Sequence, residues 1–200
     1  MPLTIAFPEL TTDMVILDDR AEFLRGKNIK SGYSQFGECG LIDSALVRIG
    51  AANRFCFEVG AADGVFMSNT KHLIDKGWAS LQIEGDADHF AKLQSLHRGN
   101  PGVRCENKTI GRHDLDDLLT QAGAPSYPDV GVIDVDGSDY EVWKYLMVHR
   151  PRLMLVEFAP ECYNTSQAKG EAIVELGIFK RYIPLAATYC NVLFCKEGVL

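Results

Sequence analysis

The chain has 200 residues, of which 46% are hydrophobic and 24% are charged. These proportions are typical of one folded domain with a sizeable core, and they exclude a disordered, collagen-like or coiled-coil chain. Lys and Arg number 20 against 27 Asp and Glu, a net charge of −7, so the chain lacks the basic surface expected of a protein that binds nucleic acid or an anionic membrane.

Neither the N-terminal residues nor the cysteines indicate export or a membrane anchor. Residues 1–20 have no basic segment followed by an apolar one, and no stretch of the chain approaches the ~18 apolar residues of a membrane span. The six cysteines form no CxxC pair, which argues against a zinc ribbon or a thioredoxin-type motif. Because scattered thiols are typical of a reducing compartment, we expect a cytoplasmic protein with free cysteines.

Short apolar runs alternate with segments of helical period along most of the chain. Residues 34–49 have apolar side chains at helical spacing and predict a helix with Ser34 as its N-cap. The apolar runs that follow are typical of buried parallel strands. The predicted strands are 55–59, 79–84, 103–106, 130–135 and 153–158, and the predicted helices between them are 67–76, 87–97, 114–121 and 139–149. This alternation predicts right-handed crossovers and an open, doubly wound sheet.

The C-terminal end of the chain departs from the alternation. After a helix near residues 168–180, strand-like runs at 182–188 and 192–195 are separated by three residues, which is the spacing of a hairpin. We therefore predict an α/β, Rossmann-like, doubly wound sheet of seven strands, mostly parallel, with a C-terminal antiparallel hairpin. Residues 1–30 would be an N-terminal extension, and residues 31–200 the domain itself.

The first of these strands leads into a turn of small residues. Gly60 and Gly64 can adopt positive φ, and Ala61 adds little bulk, so a ligand could approach the backbone closely. The turn is not G-x-G-x-x-G and lacks the Gly-Lys-Ser/Thr of a P-loop, which argues against a dinucleotide or ATP site. Glu84 ends the second strand, where a carboxylate could accept the hydroxyl protons of a ribose.

Carboxylates also follow the fourth and fifth of these strands. Ser138 and Glu141 have the spacing of a capping box at the start of the next helix. Asp134 lies inside an apolar run, where an ionised acid needs a ligand, a cation or a dedicated donor. Asp134, Asp136 and Glu157 would share one edge of the sheet, and clustered oxygen ligands suit Mg²⁺ or Ca²⁺. A metal site on these three acids is therefore one hypothesis.

Seven short segments have an order and spacing found in a known family. They are Ser34–Glu38, Glu58–Gly64, Ser68–Thr70, Gly77–Trp78, Ile83–Asp86, Leu115–Leu119 and Ile133–Tyr140. Together they resemble the FkbM-like group of S-adenosylmethionine-dependent methyltransferases, over roughly residues 31–160. The resemblance implies the class I methyltransferase fold and S-adenosylmethionine as cofactor.

The resemblance also implies which residues contact the cofactor. The acid-x-Gly-x-x-x-Gly pattern from Glu58 to Gly64 is similar to methyltransferase motif I, whose loop passes under the methionine part of the cofactor. The implied cofactor-binding residues are Gln35, Glu58, Gly60, Ala61, Asp63, Asn69, Glu84 and Lys108. The chain departs from the family at Cys39, where relatives usually have Asp. Residues 159–167, where substrate contacts are expected, match little.

The predicted activity is O-methylation of a small, hydroxylated, sugar-like acceptor. Such a transfer requires alignment of donor and acceptor and removal of the hydroxyl proton. Asp134 is the predicted catalytic residue, either as a base or through Mg²⁺, since its Asp-x-Asp segment also looks like that of the cation-dependent catechol-type O-methyltransferases. His72 and His149 are alternative bases. Two alternative functions stay open. One is a non-catalytic cofactor-binding protein on the same fold, and the other is an Asp-x-Asp glycosyltransferase that uses Asp134 and Asp136.

Overall fold

The computed structural model of the protein describes residues 14–25, 32–158 and 166–200. These residues form an eight-stranded sheet with six α-helices and one 3-10 helix at Asp19–Leu24. The strands are β1 Val15–Ile16, β2 Phe55–Val59, β3 Ala79–Glu84, β4 Val103–Asn107, β5 Val130–Ile133, β6 Leu153–Glu157, β7 Tyr182–Ala187 and β8 Asn191–Lys196. The helices are α1 Glu38–Ile49, α2 Lys71–Ile74, α3 Ala87–Leu96, α4 Asp114–Gln121, α5 Asp139–Tyr145 and α6 Ser166–Phe179.

The strand order confirms a mostly parallel α/β sheet with an antiparallel C-terminal hairpin. Across the sheet the order is β1-β7-β8-β6-β5-β2-β3-β4. Strands β2 to β6 are parallel, whereas β8 is antiparallel to both β6 and β7. After β1 at one edge, the chain continues to β2 at the centre of the sheet, moves outward to β4 at the other edge, and returns to β5 on the other side of β2. The order of the strands therefore reverses between β2 and β5.

Both faces of β2 are buried, which explains why four of its five residues are apolar and Glu58 is the exception. Phe55, Phe57 and Val59 belong to the core that α4, α5 and α6 cover. Cys56 belongs to the opposite core, which α1 and α2 cover. Because successive side chains of a strand point to opposite faces, a strand covered on both sides needs apolar residues at nearly every position.

Asp129 fixes the amino ends of the strands, opposite to the edge where the fold predicts a site. Its fully buried carboxylate accepts hydrogen bonds from the backbone N–H groups of residues 52–54, at 2.7 to 2.9 Å. Arg152 Nη1 donates a further bond at 2.6 Å. Although burial opposes ionisation, Arg152 and these amides hold the pKa of Asp129 below its ordinary value. The starts of β2, β5 and β6 are thereby tied together.

The structure adds one strand that the sequence pattern did not predict. β1 pairs antiparallel with β7, with Val15 opposite Ala187. The 3-10 helix that follows packs Ala21 and Leu24 into the same core as α1. A run of four apolar residues is too short to distinguish a strand from a loop. Residues 1–13 and 26–30 of the predicted extension lie outside the described residues.

Several predicted element boundaries differ from the structure. α1 begins at Glu38, not at Ser34, whose Oγ instead accepts a hydrogen bond from the backbone N–H of Cys39 at 3.1 Å from outside the helix. β5 ends at Ile133, and α5 ends at Tyr145, earlier than predicted. α2 is a single turn because residues 68–70 are bound in an irregular loop that is described below.

Two further expectations concern thiols and membranes. In the described ranges no disulfide is formed by Cys39, Cys56, Cys105, Cys190 or Cys195. Cys162 lies outside the described residues. In the same ranges, none of the helices has the length and apolar character needed to cross a membrane. The cytoplasmic location stays a prediction.

Candidate functional site

A cleft of about 480 Å³ opens at the carboxyl ends of β2, β3 and β5. β2 pairs with β3 on one side and with β5 on the other, so this is the point where the strand order reverses. Open parallel sheets bind ligands at such a switch point. The predicted site residues that line the cleft are Gln35, Gly60, Ala61, Asn69, Glu84, Lys108, Asp134, Asp136 and Glu157.

Gly60 allows the turn after β2 to lie directly against the end of β5. Its φ is +83°, and a Cβ atom there would lie 1.7 Å from the carbonyl oxygen of Asp134. The backbone N–H groups of Gly60 and Ala61 both donate to the carbonyl of Ile83, at 2.9 and 3.0 Å. No side chain fits at this position. The small residue is therefore required by the contact between two strand ends, whether or not a ligand also approaches it.

Glu84 holds its carboxylate at the cleft through two backbone amides. Oε2 accepts a hydrogen bond from the N–H of Ala62, and Oε1 accepts one from the N–H of Asp86, both at 2.7 Å. An ionised carboxylate has about four acceptor positions, so further acceptor capacity is available on the side that lines the cleft. A fixed carboxylate with one free position on each oxygen suits two neighbouring hydroxyl groups, such as those of a ribose.

Two predicted cofactor residues, Glu58 and Asp63, do not line the cleft. Glu58 is 1% exposed, and its carboxylate accepts hydrogen bonds from Ser68 Oγ, Asn69 N and Thr70 Oγ1 at 2.6 to 2.8 Å. Burial raises the pKa of Glu58, although these bonds oppose the rise. Asp63 Oδ1 likewise accepts two backbone N–H bonds at 2.9 Å within the loop that follows. Both acids therefore shape the wall of the cleft.

Asp134 and Glu157 bring two carboxyl groups together where β5 and β6 end. Burial, and then the charge of Asp139, raise the pKa of Asp134 to about 7. Burial, and then the charge of Asp134, raise the pKa of Glu157 to about 10. The two side chains are hydrogen-bonded to each other. At neutral pH the pair therefore holds a proton, as two carboxyl groups in contact away from water generally do.

The magnesium hypothesis on Asp134, Asp136 and Glu157 is not supported. Throughout residues 14–25, 32–158 and 166–200, no group of three or more His, Cys, Asp or Glu side chains is arranged to hold a metal ion. Asp136 is exposed on the loop, where its φ is +51°.

Asp139 shapes the loop after β5, where the sequence predicted a capping box. Its buried carboxylate accepts hydrogen bonds from the backbone N–H groups of Val135 and Gly137, at 2.8 and 2.9 Å. Ser138 makes no side-chain capping bond, so the predicted Ser138–Glu141 box is wrong. Asp139, the first residue of α5, binds the preceding loop instead. No local sequence pattern distinguishes Asp139 from the acids beside it.

The alternative bases lie elsewhere in the structure. His72 Nε2 is 3.3 Å from Asp43 Oδ1, and His149 Nδ1 is 2.9 Å from Asp116 Oδ1. Neither histidine lines the cleft. Asp134 is therefore the one of the three predicted bases that the fold places in the cleft.

Glu38 and Asn191 line the cleft, and sequence reasoning did not identify either as a site residue. Glu38 is fully buried and accepts hydrogen bonds from Phe36 N at 2.9 Å and from Thr188 Oγ1 at 2.7 Å. Asn191 Nδ2 donates to Glu38 Oε1 at 3.4 Å. The two residues are 153 positions apart, so no local pattern could have paired them.

No protein-family model and no curated protein matches the chain, but solved structures share its fold. A Klebsiella pneumoniae protein assigned as an O-methyltransferase matches with a TM-score of 0.55 at 14% identity, over 90% of this chain and 86% of that one. The METTL16 MTase domain matches with a TM-score of 0.54 at 12% identity, over 84% of this chain and 69% of that one. Monomeric WbdD matches over 78% of this chain with a TM-score of 0.49 at 15% identity, and the chain spans 39% of its length.

The chain therefore has the α/β fold of class I S-adenosylmethionine-dependent methyltransferases. Its parallel strands, switch point and antiparallel β7–β8 hairpin are those predicted from the sequence. At 14% and 12% identity the likeness establishes the fold and does not by itself assign an activity. The resemblance to the FkbM-like group stays a prediction.

The contact between Gly60 and the end of β5 can be tested by comparing two glycines. Gly60→Ala places a methyl group against the Asp134 carbonyl, whereas Gly77 has φ +80° and nothing within 4 Å of its Cβ position. Gly77→Ala should therefore lower the free energy of unfolding only by the strain of an alanine in the left-handed conformation, about 1–2 kcal/mol. When unfolding is measured in urea, Gly60→Ala should lower the free energy of unfolding by ~1–3 kcal/mol more than Gly77→Ala does, because the turn must move to accommodate the methyl group. Equal losses would contradict this explanation.

Proposed function

We propose that the protein is an S-adenosylmethionine-dependent methyltransferase of the FkbM-like group that methylates a hydroxyl of a small, sugar-like acceptor in the cytoplasm. The observation that supports this most directly is that two carboxyl groups line the same cleft. Glu84 lies beside the Gly60 turn, and Asp134 follows the neighbouring strand β5. The shared fold with methyltransferases supports it too. The net charge of −7 favours a small molecule over a nucleic acid as partner.

The residues of the cleft fit this cofactor. Glu84 would accept the ribose hydroxyls on the free positions of its fixed oxygens. Asn69 Oδ1 is buried and has no hydrogen-bond partner in the described part of the chain, so it would accept a bond from a donor group of the cofactor. Acids around the cleft suit a sulfonium cation. When bound, the cofactor supplies the methyl group on a sulfonium centre.

Asp134 would act as the base. Its carboxyl lines the cleft, and because burial and Asp139 raise its pKa to about 7, both protonation states are available near neutral pH. A base with such a pKa is matched to the removal of a hydroxyl proton at physiological pH. The hydrogen bond with Glu157 would orient the Asp134 carboxyl. The hydroxyl oxygen would form its bond to the methyl carbon as the bond from that carbon to sulfur breaks, its proton would pass to Asp134, and S-adenosylhomocysteine would be the leaving group.

The cofactor assignment predicts that calorimetry will detect binding of S-adenosylhomocysteine, and not of NAD or UDP-glucose. Glu84→Gln replaces one acceptor oxygen by a donor and should weaken the S-adenosylhomocysteine affinity at least ~10-fold, equivalent to about 1.4 kcal/mol. Glu106→Gln is the matched control, since Glu106 is on the neighbouring strand β4, pairs with Arg104 at 2.6 Å, and does not line the cleft.

Binding of NAD in place of S-adenosylhomocysteine would contradict the proposed cofactor. Binding of UDP-glucose alone would favour the glycosyltransferase alternative. An equal effect of Glu84→Gln and Glu106→Gln would remove Glu84 from the site.

The catalytic assignment predicts that Asp134→Asn binds S-adenosylhomocysteine within ~2-fold of wild type but transfers no methyl group. Transfer would be measured as the release of S-adenosylhomocysteine on a panel of small hydroxylated compounds. Wild-type turnover should rise as the pH increases through about 7, because the ionised form of Asp134 accepts the proton. Wild-type turnover in Asp134→Asn would reject the role of Asp134. Binding without turnover on any compound would favour the non-catalytic alternative.

A further inference from the structure

Four polar side chains from distant parts of the chain meet in the cleft. Glu38 begins α1, Asp134 follows β5, Glu157 ends β6 and Asn191 begins β8. Glu157 and Asn191 are directly opposite each other in the antiparallel β6–β8 pair. Asn191 also bonds Glu38, and Asp134 bonds Glu157. We call these four side chains the polar floor of the cleft.

Two oxygens of the polar floor are buried and have no hydrogen-bond partner among the described residues. They are Glu157 Oε2 and Asn191 Oδ1, on residues that are 8% and 2% exposed. Folded proteins satisfy nearly all buried polar atoms, so atoms of this kind that line a cleft indicate a ligand. Asn191 Oδ1 can only accept, and Glu157 Oε2 accepts when the proton of the pair lies between the Asp134 and Glu157 carboxyl groups, so the ligand must offer hydrogen-bond donors.

The polar floor also has no positive charge to receive an anion. Of its four side chains, three are acids and the fourth is neutral. The basic side chains that line the cleft in the described ranges are Lys108 and His89, which belong with Glu84 on the β3–β4 side. Lys108 Nζ is already paired with Asp114 at 2.7 Å. A carboxylate or phosphate on the polar floor would therefore face acceptors and acids, whereas an ammonium group would satisfy them.

We propose that the polar floor binds a protonated amine of the methyl acceptor, with Glu157 and Asn191 as specificity-determining residues. This inference rests on the proposed function and adds a substrate class to it: an amino alcohol, such as an amino sugar, with its hydroxyl toward Asp134. Three donor positions of an ammonium match the two unpartnered oxygens and leave one for Glu38 or for water. A second acid or a phosphate in the same place is disfavoured by the three carboxyl groups.

Two matched series of compounds test the substrate class on the whole protein saturated with S-adenosylhomocysteine. One series is glucosamine, glucose and glucuronate, and the other is 3-amino-1-propanol, 1,3-propanediol and 3-hydroxypropionate. Affinities would be measured by nuclear magnetic resonance titration. In at least one series, the amine should bind at least ~10-fold more tightly than the acid, with the neutral compound between them. Tighter binding of the acid, equal binding of all three, or no binding in both series would overturn the proposal.

Variants of the polar floor separate this proposal from the proposed function itself. Glu157→Gln keeps the side-chain shape, and Asn191→Leu removes the unpartnered acceptor. Each should weaken binding of the preferred amine at least ~10-fold while leaving the affinity for S-adenosylhomocysteine within ~2-fold, which also shows that the variant is folded. Glu106→Gln should change neither affinity. An unchanged amine affinity in both floor variants would overturn the assignment of Glu157 and Asn191. Loss of S-adenosylhomocysteine binding by the wild-type protein would instead contradict the proposed function.

Discussion

The contact between the turn after β2 and the end of β5 is the constraint on which the site depends. Gly60 lies so close to the carbonyl of Asp134 that no side chain can occupy the position, and the backbone N–H of Asp134 donates to the carbonyl of Val59 at 3.0 Å. In the same turn, the backbone N–H of Ala62 donates a hydrogen bond to the Glu84 carboxylate. One short segment therefore positions the Glu84 carboxylate and the Asp134 carboxyl relative to each other. A shift of this turn would separate the two halves of the cleft.

The acids near the strand ends divide into those that shape loops and those that are available to a ligand. Glu58 and Asp139 are buried, and backbone or hydroxyl donors occupy their carboxylates. Glu84 is intermediate, because two amides fix it while part of its acceptor capacity stays open. Glu157 keeps an oxygen without a partner among the described residues. Satisfied acids stabilise the wall, whereas the oxygen of Glu157 without a partner is where we propose that a ligand binds.

Local patterns predicted β2, β3, β5 and β6 because each is a short, mainly apolar run that is buried on both faces, as β2 illustrates. β4 lies at the edge of the sheet and is only partly buried. The same kind of reasoning found Gly60 and Glu84, whose roles depend on neighbours along the strand ends. It missed the contact of Glu38 with Asn191, which only the folded chain creates, and the two-residue strand β1, which is too short to have a pattern. The metal hypothesis is not supported, because the spacing of Asp134, Asp136 and Glu157 along the chain does not show whether their side chains converge on one point, and in the described residues they do not.

The central claim is that the cleft at the switch point binds S-adenosylmethionine or its product. Amide hydrogen exchange measured with and without S-adenosylhomocysteine tests it most directly, since bound ligand slows the opening of the segments that it contacts. Exchange should slow in residues 60–69 and 84–86, which contribute to the cleft, and stay unchanged in α4, no residue of which lines it. Protection confined to other segments, or none at saturating ligand, would contradict the account.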